Sequence, residues 1–125
     1  MDWTPLAICV GAVLGALGRY YFSLFWLQRA GDRFPYGTLF VNLTGAFIIG
    51  IVATAAPTWG LPPAWQTLIQ TGFLGAYTTF STYILDTAKL FSSQQRLKGL
   101  LYWLGSAVLG FVGVELGIWI GSFWL

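Results

Sequence analysis

Four apolar stretches, residues 4–27, 37–56, 64–85 and 99–124, take up most of this 125-residue chain. Each is close to the length, about 20 residues, that a helix needs to cross the hydrocarbon core of a bilayer. What lies between them is too short for an extramembrane domain. The chain therefore reads as one all-α, four-helix integral membrane unit over residues 1–125. Only 8% of its residues are charged, against about a quarter in a water-facing domain, so no polar surface is available to clothe a soluble core. The runs do not alternate as transmembrane strands must. The first stretch is not expected to be a secretory signal, because Asp2-Trp3-Thr4 brings no Lys or Arg and the apolar run is too long.

The same inventory excludes several chemistries. With no histidine and a single cysteine, Cys9, there is no His-based acid–base pair, no intrachain disulfide and no cysteine zinc site. A net charge of +2 is too small and too scattered for a nucleic-acid interface. No enzyme is indicated.

The connections carry the charge. Arg29 and Arg33 lie in the first, Lys89, Arg96 and Lys98 in the third, and the second (57–63) has three prolines and neither Lys nor Arg. With four spans, the first and third connections share one side of the membrane. The basic-residue rule then predicts a single orientation, with both termini outside. Glycines at four-residue spacing, Gly11 and Gly15 in the first span and Gly113, Gly117 and Gly121 in the fourth with Gly110 adjoining, read as close helix-packing surfaces. So small a bundle encloses little interior, which points to oligomerisation.

Polar residues within the spans are the candidates for function. The third span holds the densest group, Gly72-Phe73-Leu74-Gly75-Ala76-Tyr77-Thr78-Thr79-Phe80-Ser81-Thr82-Tyr83. Glycines followed by β-branched threonines make a poor helix interior, and residues 75–79 read as a helix break near the midplane. Carbonyls freed there must be paired inside the protein or to a cation. Beyond the break, Phe80 and Tyr83 share a face with the hydroxyls of Thr79, Ser81 and Thr82 beside them; the bland alternative is that each hydroxyl bonds back to its own helix. Asn42 in the second span has two N–H donors suited to an anion, or else joins helices. Arg19 either snorkels to the interface or supplies positive potential at a vestibule. Glu115 in the fourth span pairs, protonates or faces water.

Three segments, Gly15-Ala16-Leu17-Gly18-Arg19-Tyr20, Pro35-Tyr36-Gly37-Thr38-Leu39-Phe40-Val41-Asn42-Leu43 and Gly72 to Tyr83 as written above, together resemble the Fluc (CrcB) fluoride channel family. The resemblance implies a multi-pass protein of the cell membrane that exports fluoride passively through an antiparallel dimer with two pores. It implies a structural sodium ion at the dimer centre, held by carbonyls of Gly75 and Thr78. It places pore contacts on Asn42, Phe80, Ser81, Thr82 and Tyr83, and the vestibule arginine on Arg19. Three departures stand out. Tyr83 replaces the usual Phe and adds a hydroxyl that can donate to fluoride, Asp86 replaces Glu, and Gly110 and Val114 lack the hydroxyls common in the fourth span. Because the basic residues favour one orientation, the antiparallel partner is either a second copy or an oppositely oriented paralogue.

Fluoride is small and strongly hydrated, so a pore must replace its water with donors yet release it. Neutral amides and hydroxyls, with the positive edges of aromatic rings, meet that need without a charge trap. The alternative is a four-helix cation exporter of the small multidrug resistance type, but that class needs a carboxylate in the first span, where this chain has Arg19. A third alternative, a non-transporting assembly subunit, leaves the hydroxyl-rich span without a purpose.

Overall fold

The computed structural model describes residues 2–123, and every regular element among them is helical. Helix α1 (Thr4–Ala30) has Pro5 in its first turn, where a missing N–H is harmless. It ends at Gly31, whose φ of 75° turns its N–H back to the Leu27 carbonyl at 3.0 Å. Helix α2 (Tyr36–Ala55) follows Pro35. The third span is made of pieces. Helix α3 (Pro63–Thr67), a π-helical stretch (Leu68–Leu74) and α4 (Gly75–Tyr77) run end to end, then Thr78 and Thr79 are extended, and α5 (Phe80–Ser92) resumes. Helix α6 (Arg96–Ser122) closes the bundle.

Helices α1, α2 and α6 are each long and apolar enough to cross a bilayer alone. The third span reaches that length only as a bent composite. Its break is narrower than the 75–79 window: Gly75 keeps helical angles (φ −62°, ψ −36°), and the chain opens at Thr78 (φ −84°, ψ 157°) and Thr79 (φ −148°, ψ 118°). The threonine hydroxyls explain the position. Thr78 Oγ1 donates to the Leu74 carbonyl at 2.9 Å and Thr79 Oγ1 accepts the Thr82 N–H at 3.2 Å, backbone bonds that compete with the helix.

Two boundaries differ from expectation. The connection read as 86–98 is largely helix, since α5 runs to Ser92 and α6 starts at Arg96. Asp86 and Lys89 lie within α5 and do not end it. Likewise α1 continues past residue 27 to Ala30. The expected end of the fourth span, Trp124, lies outside the described residues.

Two glycine seams hold the bundle. A Cβ on Gly15 would sit 2.1 Å from the Phe73 carbonyl oxygen, and one on Gly11 2.2 Å from that of Leu68, so α1 lies directly on the π-helical backbone. A Cβ on Gly117 would meet the Phe47 oxygen at 2.2 Å, and one on Gly50 the Val114 oxygen at 2.4 Å, joining α6 to α2. Gly110 is no part of this seam, since a Cβ there meets nothing within 4 Å. Between the seams lie two apolar clusters, Val41 with Leu74 and Tyr77, and Tyr83 with Leu90 and Tyr102. Gly117→Ala should lower stability by about 1–3 kcal/mol through overpacking, read as a lower melting temperature of the purified protein in detergent; Gly110→Ala should not lower it.

Candidate functional site

At the break the backbone of Thr79 needs partners, and α2 supplies them through one side chain. Asn42 Nδ2 donates to the Thr79 carbonyl at 2.9 Å, and Asn42 Oδ1 accepts the Thr79 N–H at 2.8 Å. This two-point clamp is the joining role foreseen for Asn42, and it leaves one Nδ2 proton uncommitted. It also sets the carbonyls around the break. In an unbroken helix the Thr79 N–H would go to the Gly75 carbonyl, and the Thr82 N–H to that of Thr78. Here they go to Asn42 Oδ1 and Thr79 Oγ1, so both carbonyls are without their helical donors. Gly75 is moreover exposed on the surface of the single chain.

A cavity of about 440 Å³ opens beside the break, lined in part by Asn42, Gly75, Thr78, Thr79, Phe80 and Tyr83. No charged residue lines it. Phe80 is 74% exposed, with its ring centroid 5.8 Å from that of Tyr83 and tilted by 54°. The cavity thus gathers the Asn42 amide with its spare proton, the Gln70 amide, two aromatic rings and the backbone of the break. Among the described residues no group of three or more His, Cys, Asp or Glu comes together. A cation near the break would be met by neutral carbonyl oxygens, the donor type that unwound membrane helices offer to sodium; Gly75 and Thr78 fit that role.

The remaining sequence candidates divide. Ser81 is exposed and Thr82 half-buried, and neither lines the cavity. Their hydroxyls cluster on Thr79 Oγ1, at 3.3 and 3.1 Å, where they support the restart of α5. Tyr83 is buried, and its hydroxyl donates to the Trp103 carbonyl of α6. In the single chain that proton goes to α6 rather than into the cavity. Arg19 is half-buried on α1 and Glu115 exposed on α6, and both stand outside the cavity lining.

One polar contact was not foreseen. Buried Thr38 donates through Oγ1 to Asp86 Oδ2 at 2.9 Å, tying α2 to α5. In the same region Tyr102 is 2% exposed. The pairing spans 48 positions and has no local spacing that would announce it.

Residues 6–118 match the family model described as CrcB-like protein, Camphor Resistance (CrcB). The chain belongs to the CrcB-like family. Among similar proteins, one from a Synechococcus strain described as fluoride-specific ion channel FluC is 46% identical over 96% of this chain and 93% of its own. A FluC from Trichormus variabilis is 48% identical over 94% of this chain and 87% of its own, and one from Acidobacterium capsulatum 42% over 94% of each. Within this CrcB-like chain, Asn42 is the residue on which the break depends. Asn42→Leu keeps the volume and removes both bonds to Thr79. It should cost about 1–3 kcal/mol for each stranded backbone group and accelerate deuterium exchange at the Thr79 amide, measured by mass spectrometry.

Proposed function

We propose that this CrcB-like chain is a multi-pass membrane channel that lets fluoride leave the cell passively, and that it is not an enzyme. The observation that carries this reading is the uncharged cavity at the break, where the spare Asn42 proton and the Phe80 and Tyr83 rings meet. The FluC relatives support it. A dehydrated anion gains from the amide donor and from the positive ring edges, while the absence of a charged side chain from the cavity lining keeps binding shallow enough for release. Ser81 and Thr82 are proposed to extend the donor path from the far side of Thr79, and Arg19 to raise the potential at the mouth.

Gly75 and Thr78 would hold a sodium ion through their carbonyls, and Na+ there would neutralise the freed oxygens and favour anions nearby. The bare Gly75 and Phe80 lie on the face that an antiparallel partner would cover, the lipid bilayer covering the outer apolar faces. That partner is a second copy or an oppositely oriented paralogue; five basic residues on one side and none on the other favour the paralogue. A multidrug-type exporter would require a carboxylate on the path, and Glu115, the one carboxylate well inside a span, stands outside the cavity lining.

Liposomes loaded with fluoride and read by a fluoride electrode should release fluoride and retain chloride, with this chain alone if two copies suffice and only with the oppositely oriented paralogue co-reconstituted if they do not; efflux of lipophilic cations without fluoride would replace this reading with the exporter. Phe80→Ile should slow the efflux by about tenfold, equivalent to about 1.4 kcal/mol on the barrier, with assembly intact by size-exclusion chromatography. A reporter fused to the C-terminus should report from outside the cell alone, and equal signals from both sides would instead point to the homodimer.

A further inference from the structure

The cavity has a second end. Along one face of α2, Asn42, Gly45, Ala46 and Ile49 line it in order, a descent of about 10 Å at the helical rise per residue. Asn42 and Tyr83 serve the end nearer the basic connections. The opposite end is walled by Ile49, Leu74 and Val114, with one exception: Gln70. Gln70 lies in the π-helical stretch Leu68–Leu74, on the half of the third span before the break. Gln70 and Gly75 both line the cavity.

The Gln70 side chain makes no hydrogen bond among the described residues. An amide inside a membrane span that stays unpaired is costly, so this one is built to meet something that enters the cavity. Val114 and Gly110 of α6 bring no hydroxyl to this end, and Ser106 Oγ is buried without a partner and does not line the cavity.

We infer that the Gln70 amide is an anion-contacting donor at the end of the cavity opposite Asn42, so that the ion passes between two neutral amides. The inference rests on the fluoride-channel reading and assigns this residue a role within it. Gln70 Nε2 offers two protons and no charge, the same chemistry as Asn42, and the Phe80 and Tyr83 rings line the same cavity.

Fluoride efflux from liposomes tests it with wild type, Gln70→Leu and Gln70→Glu side by side. Gln70→Leu should slow efflux about tenfold, the effect of one lost hydrogen bond to a charged partner, while eluting from a sizing column as wild type does. Gln70→Glu keeps an oxygen but removes the donor. It should be slower still at neutral pH and recover in acid, where the protonated carboxyl donates again. Wild-type flux from Gln70→Leu would overturn the inference. So would undiminished flux from Gln70→Glu at neutral pH, which is the mark of an oxygen serving a cation, or altered elution of Gln70→Leu, the mark of an amide that only joins subunits. Wild-type liposomes that pass no fluoride, with this chain alone and with an oppositely oriented paralogue co-reconstituted, would remove the channel reading itself, an outcome distinct from conducting wild type with indifferent Gln70 variants.

Discussion

Backbone amides in hydrocarbon have no water to turn to, and the fold of this chain depends on how Thr79 meets that condition. Its N–H and C=O both close on one side chain, Asn42. An unpaired group at this depth costs several kcal/mol, so a broken span without Asn42 would tend to heal into continuous helix. The clamp keeps it open. Everything that gives the cavity its character follows, from the unpartnered helix carbonyls of Gly75 and Thr78 to the outward Phe80 ring at the start of α5.

The clamp works only because α2 and the third span are held in register by their neighbours. The two glycine seams place backbone on backbone, α1 against the π-helical stretch and α6 against α2. Close approach of this kind is the main attraction between helices in lipid, where apolar side chains gain little by leaving the acyl chains. Gly45 completes the arrangement from inside, since a Cβ there would lie 2.2 Å from Thr78 Cγ2. The break therefore nests against a bare stretch of α2 directly below Asn42.

Much of this was legible in the chain itself. Long apolar runs announce spans because the bilayer has one thickness, and Gly and Thr in succession announce a break because both weaken a helix. The limits of each element were less visible. Asp86 and Lys89 looked like a loop because charge marks the water boundary, whereas a helix crosses that boundary freely when its amides stay paired. The π-helical stretch had no signature in Leu68–Leu74, the backbone on which Gly11 and Gly15 of α1 lie. Asn42 was visible as an out-of-place amide, but its partner was a backbone 37 positions away. Tyr83 was visible as an aromatic, and the destination of its hydroxyl, Trp103 on α6, was not.

The joint at Thr78 and Thr79 is assembled wholly from neutral parts: an amide, hydroxyls and main chain. Acid has nothing to protonate there, and an electric field across the bilayer acts on net charge, of which the protein groups of the joint have none. Its shape is thus indifferent to the two signals by which many pores are shut. The joint itself therefore gives acid and membrane voltage nothing to pull on.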